Sequence, residues 1–283
     1  MISSVEKLIQ KLCRKIGLWS IDEKIYVKQY QVVQGESLKD KNVLITGGSS
    51  GIGLAIANRC LAEGANVLIT GRNADKLSKV KGEDDAGRLH TLLWDATDYT
   101  VLNEKVNEVF QCFSGRLDVL INNAGVASRE RFGSLSLKAW DDMLAINLKS
   151  PVFIAQEVSN RWVQNHFEGV ILNVSSLAGS ELTIDGYSAA KRALNGMTKG
   201  MARALATYGI RVNALAPGVI IGTNIRELQR SKSPEDDLCN AWIPQKRYGV
   251  PDEIAELAVF MISDRASYMN GAVVVCDGAA HLR

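Results

Sequence analysis

Tyr187 and Lys191 stand four residues apart in Y-S-A-A-K. On a helix that spacing puts the phenol and the ammonium on one face. A free tyrosine titrates at about pH 10, too high to shuttle protons efficiently near neutrality, and a neighbouring positive charge favours the phenolate. The pair suggests a proton-transfer group, with Lys191 expected to lower the Tyr187 pKa. Upstream, N-V-S-S-L-A-G over residues 173–179 offers two hydroxyls, Ser175 and Ser176. Either would hydrogen-bond a substrate oxygen as negative charge develops on it.

A second group of residues points to a bound diphosphate. T-G-G-S-S-G-I-G spans residues 46–53, between an apolar run and a helical stretch. Glycines allow a tight turn and let a diphosphate approach backbone N–H groups at a helix start. The turn leads the βαβ series described below, the context a dinucleotide site requires. Gly47, Ser49, Ser50, Gly51, Ile52 and Gly53 are therefore expected at the cofactor. A free ribose 2′-hydroxyl is usually held by an Asp or Glu about 20 residues further on. This chain has T-G-R-N there, with no carboxylate. Arg72 is instead suited to a 2′-phosphate through a charge-assisted contact, so NADP(H) is expected ahead of NAD(H).

Elements of a particular kind must hold these groups. Asn42–Thr46 and Asn66–Thr70 both read N-V-L-I-T, short apolar runs suited to buried strands. Further strands are expected at Arg88–Trp94, Leu117–Ile121, Gly169–Val174, Ile210–Leu215 and Ala272–Cys276. The intervening segments are long enough for crossover helices; the first runs to about Glu63 and stops at Gly64. Strands alternating with helices imply a doubly wound α/β fold, a seven-stranded parallel sheet with helices on both faces. Residues 40–283 read as one such Rossmann-fold domain.

Composition narrows the class of protein. Of 283 residues 46% are hydrophobic and 23% charged, which excludes a disordered chain or a collagen-like repeat. With 33 basic against 31 acidic residues, the net charge of +2 gives no footprint for nucleic acid. The five cysteines are scattered, with no C-x-x-C pair, a pattern of reduced thiols in a cytoplasm and of neither disulfides nor a metal site. No stretch approaches a membrane span, and the N-terminus lacks the unbroken apolar run of a secretory signal. Residues 1–39 form a mildly basic extension in which Val5, Leu8, Ile9, Leu12, Cys13 and Ile16 recur at helical spacing. Such a helix would cover a protein core or lie on a membrane surface, with the core favoured.

From Leu38 to Ala279 the chain resembles the classical short-chain dehydrogenase/reductase family. The resemblance is carried by T-G-G-S-S-G-I-G, W-D-A-T-D (94–98), L-I-N-N-A-G (120–125), I-N-L-K-S (146–150), N-V-S-S, Y-S-A-A-K, R-V-N-A-L-A-P-G (211–218) and V-V-C-D-G-A (274–279). It is most similar to the 3-oxoacyl-carrier-protein reductases. The resemblance implies hydride transfer between a nicotinamide and a ketone or secondary alcohol. Tyr187 would be the acid/base, and Lys191 would bind the nicotinamide ribose. Ser176 would orient the substrate oxygen, and Asn147 would hold a water joining Lys191 to solvent. Asp95 and Ala96 would lie near the adenine, Asn122 and Ala124 along the cofactor, and Gly218, Ile220 and Thr223 by the carboxamide. Asn123 would brace the sheet. The stretch from Ser176 to Tyr187 is shorter than the family's usual spacing, which leaves Ser175 as an alternative to Ser176. One extra residue precedes Thr223.

Two other functions compete with this reading. A sugar-nucleotide epimerase resembles a longer chain with a C-terminal substrate domain. A non-catalytic NADP-sensing regulator would have lost part of the Asn147, Ser176, Tyr187 and Lys191 set, all present here. A sugar, polyol or cyclic-ketone reductase is the alternative substrate class. Residues 224–245 are expected to be a lid over the substrate. Arg129 and Arg131 would meet an acidic carrier protein, or stand as solvated loop arginines. Ala189, Ala193, Gly196, Gly200 and Ala204 leave one helix face almost bare. That stripe would pack on the sheet or, as the resemblance implies, on a partner helix in a homodimer or tetramer.

Overall fold

The computed structural model describes residues 36–82, 87–128, 130–180, 183–223 and 243–282. The expected N-terminal helix, Arg129 and residues 224–242 of the expected lid lie outside the described residues. The seven strands are β1 (Asn42–Ile45), β2 (Asn66–Gly71), β3 (Leu89–Leu93), β4 (Val119–Asn122), β5 (Gly169–Val174), β6 (Ile210–Pro217) and β7 (Val273–Cys276). They form one parallel sheet in the order β3-β2-β1-β4-β5-β6-β7. Each expected strand is present within two residues of its expected ends. β6 runs two residues further because Ala216 and Pro217 stay in register with Val275 and Cys276.

Among the described residues seven helices cross between these strands: α1 (Gly51–Ala62), α2 (Ala74–Lys81), α3 (Leu102–Cys112), α4 (Leu137–Leu144), α5 (Ser150–Gln164), α6 (Gly186–Leu205) and α7 (Pro251–Ile262). Alternation along each strand divides the core into two layers. Val43 and Ile45 of β1 join Ile56 of α1, Leu77 of α2 and Ile254 of α7 on one face. Leu44 between them joins Val106 of α3, Ile154 of α5 and Ala202 of α6 on the other. The seven-stranded doubly wound sheet is thus the architecture the alternating pattern implies.

The packed region begins ahead of residue 40. Leu38 is 1% exposed and its N–H donates to the Glu63 carbonyl (3.0 Å). The Ser37 hydroxyl donates to the buried Glu63 carboxylate (2.7 Å), which also pairs with Arg59 (2.6 Å). These contacts close the C-terminal end of α1.

Candidate active site

β1 and β4 are neighbours whose crossovers leave in opposite directions, and in such sheets ligands bind beyond the carboxyl ends at this point. A cavity of about 610 Å³ opens there. Its walls come from the residues that follow β1, β2, β3, β4, β5 and β6 in turn. Position alone gathers residues far apart in sequence.

The glycine turn forms one end. Gly47 has a left-handed φ of +66°, and a Cβ on it would stand 2.9 Å from the Ala124 backbone. A Cβ on Gly53 would collide with the Asn123 side chain and the Gly47 carbonyl. No larger residue fits either place without moving β1 against β4. The turn therefore offers bare backbone at the start of α1, the surface a diphosphate needs. Ser49, Ser50, Gly51 and Ile52 line the cavity there. Across from them a Cβ on Gly51 would lie 3.7 Å from Thr223 Cγ2. Gly218 and Ile220 line the same wall.

The two asparagines at the end of β4 differ from their expected places. Asn122 remains in the ladder opposite Asn173. Its amide donates to Asn173 Oδ1 (2.9 Å) and to the Pro151 carbonyl (3.1 Å), and it does not line the cavity. Asn123 has left the ladder and does line it. Its amide donates to the carbonyls of Thr46 (3.0 Å) and Gly47 (2.9 Å). The Thr46 hydroxyl in turn accepts from the N–H groups of Asn123 (3.0 Å) and Ala124 (3.1 Å). Asn122 thus braces the sheet and Asn123 clamps the glycine turn. Thr46 is a site-building residue that the glycine pattern alone did not single out.

Arg72 follows β2 and Asp95 follows β3, and both line the cavity with Ala96. Arg72 is two-thirds exposed and 3.9 Å from the Asp95 carboxylate. An exposed pair at this distance contributes about 0–1 kcal/mol, so the guanidinium is available to a stronger anion.

The reaction end is built on α6. Asp185 caps the helix, its Oδ1 accepting from the Ser188 N–H (2.7 Å) while the Ser188 hydroxyl accepts from the Asp185 N–H (3.3 Å). Tyr187 follows two residues later, and the Ser176 hydroxyl lines the same cavity and favours the phenolate. Ser175 points elsewhere. It is 4% exposed and donates to Asn195 Oδ1 at 2.6 Å. Asn195 lies four residues beyond Lys191 and eight beyond Tyr187, a helical spacing that could have marked it as the serine's partner.

Lys191 is 4% exposed and donates to the Val174 carbonyl at 2.8 Å. Burial pushes its ammonium down to about 8. Tyr187 does not follow the expected fall. Burial raises its pKa and the Asp185 charge adds to the rise, against which the Ser176 hydrogen bond pulls down. Lys191 cannot offset burial from its place, with its ammonium turned to a backbone carbonyl and 5.8 Å from the phenol ring centroid.

Asn147 sits in a π-helical turn, Ala145–Lys149, an insertion often found at functional sites. Its amide donates to the carbonyls of Val126 (2.9 Å) and Met143 (3.1 Å), while Oδ1 is buried without a partner among the described residues. A Cβ on Gly125 would lie 2.7 Å from that oxygen and 3.6 Å from Lys191 Nζ. One glycine therefore keeps Asn147 and Lys191 in reach of a shared space. The bare turn and this orphaned acceptor together fit a nicotinamide dinucleotide and the polar groups that accompany it.

A family model described as enoyl-(acyl carrier protein) reductase matches residues 47–281. The chain is 34% identical to gluconate 5-dehydrogenase of Gluconobacter oxydans over 86% of its length and 95% of that protein. It is 37% identical to a 3-oxoacyl-(acyl-carrier-protein) reductase of Thermotoga maritima over 85% of its length and 98% of that protein. A crystal structure of a short chain dehydrogenase from Bacillus anthracis superposes with a TM-score of 0.78 at 34% identity, covering 87% of this chain and 98% of that one. The family is the short-chain dehydrogenases/reductases, to which the chain belongs as an NAD(P)-dependent oxidoreductase.

Proposed function

We propose that the chain is an NADPH-preferring reductase of the 3-oxoacyl-thioester reductase type in its chemistry, exchanging hydride at a ketone or secondary alcohol. Tyr187 and Ser176 together on the cavity wall, with Lys191 buried beside them, are the observation that carries this reading. When bound, the nicotinamide supplies or accepts the hydride. Ser176 steadies the substrate oxygen, and Tyr187 gives that oxygen a proton in reduction and takes it back in oxidation. Lys191 holds the ribose side of the cofactor and adds positive charge near the phenol. Asn147 Oδ1 anchors the polar path by which Lys191 exchanges protons with solvent. Gly47, Ser49, Ser50, Gly51, Ile52 and Gly53 cradle the diphosphate, Asp95 and Ala96 flank the adenine, and Gly218, Ile220 and Thr223 meet the carboxamide. Asn123, not Asn122, serves the cofactor side.

The complete tetrad disfavours a cofactor-sensing regulator. Free thiols at Cys60, Cys112 and Cys276, and no helix among the described residues fit to cross a membrane, support a cytoplasmic protein. Residues 40–283 serve as one domain, residues 1–39 as its extension, and the chain works as a homodimer or tetramer.

The test of the chemistry is Tyr187→Phe. Turnover should fall about 10²–10⁴-fold while NADPH binding persists. Near-normal turnover would remove Tyr187 from the mechanism. The test of cofactor choice is Arg72→Ala, measured by fluorescence titration. It should weaken NADPH about 10- to 150-fold, the equivalent of one charge-assisted hydrogen bond, and leave NADH nearly untouched. Equal loss for both would make Arg72 a structural residue.

A further inference from the structure

Two charged groups at the reaction end pass on no proton themselves, although the Asp185 charge raises the Tyr187 pKa. The Phe132 N–H donates to the Ile184 carbonyl at 2.8 Å. This tie lays the segment after β4 against the residues that lead into Tyr187. Arg131 and Asp185, on the two sides of the tie, line the cavity together with Tyr187 and Ser176. The Arg131 guanidinium has no ion pair or hydrogen bond among the described residues. Asp185 is held in place through Oδ1, which accepts from the Ser188 N–H (2.7 Å) and hydroxyl (2.8 Å). Its Oδ2 accepts nothing among the described residues. The reaction end thus presents a planar fork of donors and one fixed, open acceptor oxygen.

Those two groups select different parts of one molecule. A guanidinium matches a carboxylate with two parallel hydrogen bonds. A lone carboxylate oxygen accepts from a hydroxyl. We propose that Arg131 and Asp185 select a small polyhydroxylated acid, with Arg131 taking its carboxylate and Asp185 Oδ2 a hydroxyl near the reacting carbon. This rests on the hydride-transfer reading of the same cavity and sets a polyhydroxylated acid in place of the acyl thioester as its substrate class. The half-exposed Ile184 and the exposed Phe132 border the pair and would face the carbon chain.

The experiment uses the full-length enzyme with aldonic acids, alditols of equal chain length, and 3-oxoacyl thioesters on coenzyme A and on a short uncharged thiol. Wild type should prefer the acids in kcat/KM, and Arg131→Gln should lower the acid-to-alditol ratio roughly 10- to 150-fold, mainly through KM. Arg131→Lys, a point charge without the fork, should restore only part of it. Asp185→Asn keeps a good helix cap but replaces the open acceptor by a donor, so acids and alditols should weaken together. Calorimetry of an aldonic acid on the NADPH-bound enzyme should show the same loss in Arg131→Gln, with the NADPH dissociation constant kept. An unchanged ratio in Arg131→Gln overturns the proposal, as does a loss confined to the coenzyme A thioester, which would place the recognised anion on the carrier. Acid binding that Arg131→Gln removes, without turnover of any substrate, would retain the site and overturn the oxidoreductase reading instead.

Discussion

Helix α6 meets different surroundings on its two sides. Inward, Lys191, Leu194, Thr198 and Ala202 are buried against the sheet. The Thr198 hydroxyl donates to the Leu194 carbonyl (2.8 Å) and accepts from Asn173 (2.9 Å), whose Oδ1 accepts from Asn122. This chain of polar contacts ties β4, β5 and α6 together beneath the reaction end. Outward, Ala193, Gly196, Gly200 and Ala204 are exposed, and a Cβ on either glycine would meet nothing within 4 Å. The inner face carries a desolvated cation and the outer face two glycines, and each feature weakens the isolated fold. The contrast teaches that one helix can hold two sorts of cost, recovered by two sorts of partner. For the inner face the partner is the reacting complex, and for the outer face, on the proposed assembly, a second chain.

The largest expected effect lies on the inner face. Lys191 has a folded pKa of about 8 against an ordinary 10.5, so the folded state resists its protonation. Between those two pH values the unfolded chain binds more protons than the folded one, and stability rises with pH. At about 1.4 kcal/mol per pKa unit, the full change is about 3 kcal/mol. Wild type should therefore gain about that much relative to Lys191→Met between pH 8 and 10.5, since groups common to both variants cancel. Denaturant unfolding across that range reads the difference. Parallel curves would mean that Lys191 is not desolvated, and the inner face would then carry no cost.

Much of this contrast can be read in the residue order, and some cannot. The glycine turn, the strands and the Tyr187–Lys191 pair are local patterns, each set by a fixed period. The resemblance put Asn122 on the cofactor side and Asn123 on the sheet, and the geometry differs because β4 runs one residue past its expected end. The last ladder pair, with Asn173, keeps Asn122 inside, and one further residue points to the opposite side. The rise in the Tyr187 pKa comes from burial, which no spacing rule contains. Arg131 and Asp185 share the cavity wall through a backbone tie between residues 132 and 184, which no local pattern encodes. The short link from Ser176 to Tyr187 left the choice of serine open, and Asn195 decides the geometry by engaging Ser175.

The small-residue stripe on α6 was legible as a period, while its direction was not. Packing on the sheet and packing on a partner helix both favour small residues. The structure removes the first reading, because Leu194, Thr198 and Ala202 occupy the sheet side.

The smallest effect separates a solvated face from a contact face. A glycine inside a helix costs about 1 kcal/mol against alanine. If the outer face of α6 simply met water, Gly200→Ala would raise stability by about that amount, a Tm gain of about 2–4 °C for a domain of this size. Nothing in the chain's own packing opposes the added methyl. If two α6 helices approach across the stripe, the same methyl must enter the contact, and the gain should vanish or reverse. Gly200→Leu should then shift light scattering towards smaller species, with little change in the unfolding of the separated chains. A stabilised Gly200→Ala, together with an unaltered assembly in Gly200→Leu, would show that the bare face meets only solvent. In that event the two faces of α6 would differ in exposure but not in partnership, and the glycines would stand as an uncompensated cost.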